Sequence, residues 1–247
     1  YVILTCIITA IITEAAILKL RKKSIVVLDG SVAITGLLLA YNLSPKAPLW
    51  LAVVGTIFSV AIGKHAFGGL GANIFNPALL GRAFLMASWP KYMTSWLNPR
   101  WWPDTVSIAT PLAKEVSVAG QRLVPSYLDL FLGNRAGCIG EVCIVALLIG
   151  AAILLIKRYI SWQIPFTYIA TVGLFSWLFM DKGLYKHDAV FSIFSGGLIL
   201  GAFFMATDYV TAPITQKGKI IFGIGCGLIT FTIRKWGGYP EGVSYAI

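Results

Sequence analysis

A polar stretch in the middle of a strongly apolar chain offers the first candidate chemistry. Residues 104–110 are DTVSIAT, with Asp104 three positions before Ser107 and Ser107 three before Thr110. By spacing alone this pattern predicts a turn followed by a helix cap, because Asp, Ser and Thr favour both positions. No His follows at a place where it could activate a hydroxyl, so the segment does not indicate a nucleophilic hydrolase.

Two carboxylates lie in or beside apolar segments, where an ionised side chain is costly. Glu14 is well inside the first segment, and positions three and four further on are Ile17 and Leu18, which offer no partner. Two interpretations stay open: a proton or sodium relay facing the interior, or an interfacial position near KLRKK. Asp208, at the end of a later segment, is either a cation ligand or a helix cap with Thr207.

A glycine-rich segment, GGLGANIFNPALLGR at 68–82, is the next candidate site. Asn76 before Pro77 predicts a helix start, with Asn as the cap and Pro in the first turn. Asn73 and Asn76 would bring amide donors to that helix N-terminus, which favours an anion or a polar ring. The alternative is a tight re-entrant turn between two spans.

Metal chemistry is not indicated. His65 and His187 lie near the ends of apolar segments, and neither has a second His at metal-binding spacing. The cysteines form no C-x-x-C pair, suit no common zinc or iron–sulfur pattern, and are expected to be small buried hydrophobes. They are Cys6, Cys138, Cys143 and Cys226.

The elements that position these residues must be membrane helices. The chain is 57% apolar and only 12% charged, and its mean hydropathy is +0.80. A soluble surface cannot be built from so few charges, so the chain is expected to cross the membrane several times. The net charge of +10 then reflects Lys and Arg beside the spans and at anionic headgroups rather than nucleic-acid binding.

Apolar runs predict eight spans and the start of a ninth, all helical because backbone groups in lipid need partners in their own segment. A loop of about 47 residues follows the fourth span. The predicted spans are about 1–20, 25–43, 48–63, 76–89, 140–156, 162–180, 189–206 and 218–233, with the ninth beginning near 242.

The distribution of basic residues predicts the orientation. If the end of the first span is inside, the inside carries nine Lys and Arg and the short outside loops carry five. Inside loops are the more basic, so the long loop, with its many Trp residues, is expected outside.

An internal repeat connects the two halves. The second span and its flank, DGSVAITGLLLAYNLSPKAP, match the seventh, FSGGLILGAFFMATDYVTAP. The repeat implies five spans in each half with opposite orientations, and a site near the midplane at non-helical breaks. We expect these breaks at GGLGANIFNP, TDYVTAP and GGYPEG. The expected organisation is a first repeat at 1–90 without its N-terminal helix, a loop at 91–137, and a second repeat at 138–247 with its last helix cut short.

Taken together, five stretches resemble the RnfD/NqrB family. Its members are membrane subunits of the Rnf complex, the ferredoxin:NAD⁺ oxidoreductase, and of the sodium-pumping NADH:quinone reductase. The compact loop and closely spaced first spans are more similar to the Rnf branch. The stretches are DGSVAITGLLLA, GGLGANIFNPALLGRAFL, FLGNRAGCIGEV, SGGLILGAFFMATDYVTAP and GGYPEGVSYAI.

The resemblance implies a covalent flavin. In that family an FMN is attached through its phosphate to a threonine in a motif similar to D-x-x-S-G-A-T. The matching residues here are Asp104, Ser107, Ala109 and the acceptor Thr110, while Ile108 stands where Gly is usual. Family members also hold a noncovalent riboflavin, for which the resemblance assigns no residue here.

The resemblance also implies a fold, a function and partners. The fold is an all-α membrane bundle of about ten helices, similar to urea transporters, in the bacterial cell (inner) membrane with the flavin loop extracytoplasmic. The function is electron relay between ferredoxin and NAD⁺, coupled to Na⁺ or H⁺ transport, within a complex that includes a second flavin-bearing subunit and iron–sulfur membrane subunits. Glu14 and Asp208 are the candidate ion-path residues. The alternative is a channel or secondary transporter for a small polar solute, which would carry no flavin.

Overall fold

Helices form nearly all the regular structure in this computed structural model, which describes residues 1–24, 29–97, 107–108, 126–179, 188–237 and 242–247. The exception is a pair of two-residue strands, β1 (Trp96–Leu97) and β2 (Ser107–Ile108), which run antiparallel with Trp96 opposite Ile108. The prediction of an all-α chain is confirmed. The chain divides into two compact units, Tyr1–Ser95 and Trp96–Ile247.

The first unit follows the first four predicted spans and adds one short helix. The third helix does not end as an α-helix but continues as a π-helix. The helices are α1 (Val2–Leu20), α2 (Ser31–Tyr41), α3 (Leu49–Phe58) with its π-helical extension Ser59–His65, α4 (Pro77–Ser88) and α5 (Pro90–Met93).

The start of α4 confirms the predicted Asn-Pro signal. Asn76 Oδ1 accepts hydrogen bonds from the backbone N–H of Ala78 at 3.1 Å and of Leu79 at 3.4 Å, and Pro77 occupies the first turn. One turn further along, buried Arg82 donates to Asn42 Oδ1 at 2.5 Å and so ties α4 to the end of α2. A buried guanidinium needs such acceptors, because its charge has left water.

The second unit contains the later predicted spans, but one of them is interrupted. Its helices are α6 (Tyr127–Leu132), α7 (Ile144–Ile156), α8 (Gln163–Phe179), α9 (Ala189–Phe194), α10 (Leu198–Leu200) with its π-helical extension Gly201–Met205, α11 (Gln216–Trp236) and α12 (Val243–Ala246).

The prediction of a continuous span at 189–206 is wrong. The chain leaves helical geometry at Ser195, and Gly196 has a φ of 68°, in the left-handed region that glycine adopts without strain. Helix α10 begins only two residues later. The adjacent glycines of SGG therefore produce a discontinuous helix that was not among the expected breaks.

The core of the second unit is centred on the packing of α8 against α11. Tyr168 is fully buried, and its hydroxyl lies 2.6 Å from Thr230 Oγ1. Gly223 and Gly227 form a G-x-x-x-G face on α11, opposite Thr167 and Thr171 of α8. Small residues at this spacing let two apolar helices approach closely in a membrane.

Helix length is less uniform than predicted. Of the described helices, α1 is long and apolar enough to cross a membrane by itself, with a mean hydropathy of 2.1. Shorter apolar helices cover Ser31–Tyr41, Leu49–His65, Ile144–Ile156 and Gln163–Phe179. The predicted division at 1–90, 91–137 and 138–247 stays a prediction, since most of the loop lies outside the described residues.

The close approach of α8 and α11 gives a matched pair of substitutions. An added methyl group at Gly223 would lie 2.0 Å from Thr167 Oγ1 and 2.9 Å from Ile164 O, whereas at Gly225 nothing lies within 4 Å. We expect Gly223→Ala to cost about 1–3 kcal/mol of stability through overpacking, and Gly225→Ala to be neutral or stabilising. Thermal unfolding in detergent measures both, and equal melting temperatures would contradict the assigned packing.

Candidate functional site: a buried carboxylate network

The first unit buries a carboxylate, a lysine and a histidine against one another. Glu14 is 3% exposed, Lys64 2% and His65 4%. Lys64 Nζ donates to Glu14 Oε1 at 2.6 Å, and His65 Nε2 lies 3.2 Å from the same oxygen. Because burying charge is costly unless it is paired, this cluster places a strong constraint on the fold.

Two elements position the cluster. Glu14 lies on α1, whereas Lys64 and His65 are the last two residues of the π-helix that extends α3. A π-helix carries about one residue more per turn than an α-helix, and such segments often occur at functional sites. Here the wider turn ends with two consecutive nitrogen-bearing side chains near one carboxylate oxygen.

The glycine-rich segment ends the π-helix and leads into α4. Gly68, Gly69 and Gly71 all have positive φ, at 130°, 110° and 87°, conformations that other residues rarely adopt. Asn73 Nδ2 donates to Phe75 O at 3.1 Å, and Asn76 caps α4. These contacts favour the turn interpretation of the segment over the predicted anion site.

A chain of hydrogen bonds connects the buried carboxylate to a more exposed one. Lys64 Nζ also donates to Ser31 Oγ at 2.7 Å, and Ser31 Oγ lies 3.0 Å from both carboxylate oxygens of Asp29. Asp29 is exposed and Ser31 half-buried. The path therefore runs from the interior of the unit to its surface through Glu14, Lys64, Ser31 and Asp29.

One oxygen of Glu14 has coordination capacity left. Oε1 is contacted by two nitrogens, whereas buried Oε2 has no hydrogen-bond partner among the described residues. An ionised carboxylate accepts at both oxygens, so Oε2 is chemically suited to take a proton or to ligate a small cation. The ammonium of Lys64 already neutralises the group, so an incoming cation must compete with it.

Glu14 faces the interior of the first unit, and its predicted role as a proton or sodium relay stays a prediction. Its partner stands 50 residues away in sequence, beyond the reach of spacing rules along one helix. Sequence reasoning treated Lys64 as a flanking charge and His65 as a span-end residue, and it missed both as partners. The available signal was a lysine within the apolar run SVAIGKHAFGG.

Asp208 lies in the other unit, in a different environment. It is half-buried and accepts a hydrogen bond from Thr211 Oγ1 at 3.0 Å, while Thr207 Oγ1 donates to Phe203 O at 2.7 Å. The carboxylate therefore organises a local turn after the π-helix of α10. Its predicted role in an ion path stays a prediction.

The discontinuous helix of the second unit has its own buried polar centre. Arg234 of α11 donates to Ser192 O at 2.7 Å and to Ser195 O at 3.2 Å, and Arg135 donates to Phe194 O at 2.5 Å. Buried Glu141 accepts from the N–H of Cys138 at 2.9 Å. The arginines supply the donors that the carbonyls at the end of α9 need, so the break is held in a defined shape.

The predicted flavin motif lies mostly outside the described residues. Asp104, Ala109 and Thr110 are not described, but Ser107 and Ile108 form β2 and pair with β1. Trp96 of β1 is buried and packs in a cluster with Ala136 and Cys138. Ser107 and Ile108 of the motif are thus paired with a strand that contains a buried aromatic residue of the second unit.

Comparison with known proteins extends the similarity over the whole chain. The family model described as the NQR2, RnfD, RnfE family matches residues 1–247. The chain belongs to the NQR2, RnfD, RnfE family. The resemblance found in five separate stretches is confirmed.

Several similar members of the family have names that specify an activity. One is a subunit of the Na(+)-translocating ferredoxin:NAD(+) oxidoreductase complex of Acetobacterium woodii, 52% identical over 98% of this chain and 74% of the relative. Another is a subunit of the proton-translocating ferredoxin:NAD(+) oxidoreductase complex of Clostridium ljungdahlii, which is 47% identical over 100% of this chain and 77% of the relative. A third is a subunit of the ion-translocating oxidoreductase complex of Stutzerimonas stutzeri, which is 39% identical over 99% of this chain and 78% of the relative. All three are named as the D component of their complex.

For this NQR2, RnfD, RnfE family member, a double-mutant cycle tests the buried network. Glu14→Gln strands the Lys64 ammonium and Lys64→Met strands the carboxylate, so each should cost about 3–5 kcal/mol. The double variant removes both charges and should recover most of that loss. Melting temperatures of the purified protein show whether the double variant is more stable than either single variant.

Lys19→Met, which removes an exposed cation from the same helix as Glu14, is the control and should change stability by less than about 0.5 kcal/mol. Additive losses in the double variant would contradict the pairing of Glu14 with Lys64.

Proposed function

We propose that this chain is the membrane subunit of an ion-translocating ferredoxin:NAD⁺ oxidoreductase and that it works only within the assembled complex. The observation that carries the proposal is the buried Glu14–Lys64 pair, with its hydrogen-bonded path to exposed Asp29. Ionisable residues within membrane segments are rare, and they mark ion pathways. The names of its relatives favour the same activity.

The proposed ion step is an exchange of partners at Glu14. A cation that reaches Oε2 reduces the negative charge available to Lys64, and the ammonium can then turn toward Ser31, its second acceptor at 2.7 Å. When the cation leaves, Lys64 returns to Oε1. Lys64 thus competes with the transported cation for Glu14. It neutralises the carboxylate between transport events, when an unpaired buried charge would be most costly.

Na⁺ and H⁺ are both compatible with this chemistry. A proton on Oε2 and a sodium ion beside it each neutralise the carboxylate, and relatives at 52% and 47% identity are named for the two different ions. The network is therefore compatible with coupling to either cation, and a measurement of which cation is taken up identifies the ion.

The electron-transfer part of the proposal places FMN on Thr110 through a phosphoester. The Thr110 hydroxyl would attack the flavin-side phosphorus of a flavin dinucleotide, whose phosphoanhydride bond would break so that a nucleoside monophosphate leaves. Ser107 of the same motif is fixed by strand pairing with Leu97. Ile108, where the family motif usually has Gly, lies in strand β2, and β-branched residues favour an extended strand backbone. The departure from the motif therefore fits the local backbone.

When bound, the flavin supplies one-electron redox chemistry. The phosphoester bond would prevent loss of the cofactor, and the backbone pairing of Ser107 and Ile108 with β1 supports a fixed position for these two residues of the motif. A noncovalent riboflavin belongs to the same proposal, without assigned residues.

The wider architecture is also part of the proposal. Helix α1 packs on α2 and α3 as α8 packs on α9 and α11, which supports two five-helix inverted repeats of the urea-transporter kind. The proposed setting is the bacterial cell membrane with the flavin loop outside. The proposed partners are the other members of the complex, including a second flavin-bearing subunit and iron–sulfur subunits.

Ion coupling provides the first functional test. In the Glu14→Gln/Lys64→Met variant, electron transfer from ferredoxin to NAD⁺ in the complex should continue, while Na⁺ or H⁺ uptake per NADH falls to the leak level. Vesicle uptake measured together with NADH formation gives the ratio.

Asp208→Asn is measured in the same way and is expected to have the smaller effect, since that half-buried carboxylate already has a local partner. A normal uptake ratio in the Glu14 variant would remove Glu14 from the path.

Covalent flavin provides the second functional test. After denaturing electrophoresis of protein from cells that contain the flavin transferase, the band should fluoresce, and Thr110→Ala should abolish the signal. Thr105→Ala, in the same loop, is the matched control and should retain it. An unmodified intact mass would contradict attachment and favour a solute transporter, the second candidate, for which the discontinuous α9–α10 helix is the supporting observation.

A further inference from the structure

The second unit has a cleft of about 540 Å³ whose lining combines basic, amide and aromatic side chains. The turn between α7 and α8, the loop at Tyr209 and the beginning of α11 form its walls. Its volume is in the range of small-molecule sites. No carboxylate of the described residues lines it, whereas Arg158 and Lys219 do.

Arg158 occupies an unusual backbone position. It follows α7 with a φ of 58°, and the N–H of Tyr159 reaches back to Leu154 O at 2.9 Å. This is the helix-ending turn in which glycine normally takes the left-handed position. A long basic residue accepts that conformation at a cost, as Lys22 also does at the end of α1 with a φ of 53°.

Gln163 gives the second, independent indication of a ligand. It lines the cleft at the start of α8, is 8% exposed, and its side-chain oxygen has no hydrogen-bond partner among the described residues. An unpartnered buried amide oxygen is costly. A ligand that carries a hydrogen-bond donor next to its anionic group would supply the partner that this oxygen lacks.

The aromatic lining indicates where the cleft lies with respect to lipid. Tyr159, Trp162 and Tyr209 are all largely exposed, and the Tyr209 hydroxyl donates to Tyr159 O. Trp and Tyr are enriched at headgroup depth, and α7 and α8 lead away from the turn as apolar helices. Acyl chains could therefore run along these helices from a headgroup held in the cleft.

We propose that this cleft binds the headgroup of an anionic glycerophospholipid, with phosphatidylglycerol as the best fit. Arg158 and Lys219 hold the phosphate, and the Gln163 side-chain oxygen accepts a hydrogen bond from a headgroup hydroxyl. Tyr159, Trp162 and Tyr209 enclose the glycerol at the interface. The site is independent of Glu14 and of the proposed flavin.

Lipid binding to the purified, delipidated complex tests the proposal. Native mass spectrometry and melting temperature are recorded with phosphatidylglycerol, phosphatidic acid, phosphatidylcholine or inorganic phosphate. We expect phosphatidylglycerol to bind and stabilise most, phosphatidic acid to do so less, and the other two not to do so. Arg158→Gln/Lys219→Gln should weaken phosphatidylglycerol binding roughly thirtyfold, since each of the two basic residues near an anionic membrane contributes about 1 kcal/mol and every 1.4 kcal/mol is tenfold.

A charge-matched control separates the cleft from general attraction to anionic lipid. Lys157→Gln/Lys217→Gln removes the same charge from two exposed neighbours that do not line the cleft, and binding should stay near normal. Gln163→Met should remove the preference for phosphatidylglycerol over phosphatidic acid, and an unchanged preference would overturn the assigned role of Gln163.

Three other outcomes would overturn the lipid assignment. Equal weakening in both double variants would show only a diffuse surface effect. Stabilisation by inorganic phosphate equal to that by the lipid would identify a phosphate site instead. Loss of another subunit from the Arg158→Gln/Lys219→Gln complex, with an unchanged lipid count, would identify a protein contact.

Discussion

The first unit depends on the burial of one carboxylate. Glu14 lies inside an apolar helix. The free-energy cost of an unpaired charge there would exceed the stabilisation that most single side-chain contacts provide. Its pairing with Lys64 fixes where the end of α3 must lie against α1. The π-helix, the glycine turn after it and the Asn76 cap of α4 then follow one another along the chain, so the local geometry around the Gly-rich segment is organised around that pair.

In the second unit, arginine side chains satisfy buried polar groups of the backbone. Its broken helix exposes backbone carbonyls within an apolar core, and Arg135 and Arg234 provide fixed, always-charged donors for them. Guanidinium groups suit a permanent structural role, because they do not lose their proton. The side chain of Lys64 has two acceptors within reach, Glu14 and Ser31, and it can exchange one for the other, which suits the moving part of the proposed ion path.

The long polar loop has a physical reason under the proposed function. A phosphoester to a polar cofactor must form in water, where a transferase can reach the hydroxyl, yet electron transfer needs the cofactor held in place. Pairing of Ser107 and Ile108 with a strand that begins at buried Trp96 fixes two residues of the motif that contains the proposed acceptor. Hydroxyls within the apolar helices, such as those of Tyr168 and Thr230, are instead occupied with each other.

The sequence by itself determined that the chain is helical and apolar, where most helices begin and end, and to which family it belongs. These properties depend on composition, on local signals such as Asn76-Pro77, and on motifs spread over the whole length. Only the tertiary structure decided that Lys64 and His65 are the partners of Glu14, and that the seventh predicted span breaks at Ser195–Gly197. Periodicity cannot reveal a contact across 50 residues when every helix face is apolar, and a Gly-Gly pair is compatible with both close packing and a break. Which occurs depends on whether nearby donors, here two arginines, can satisfy the freed carbonyls.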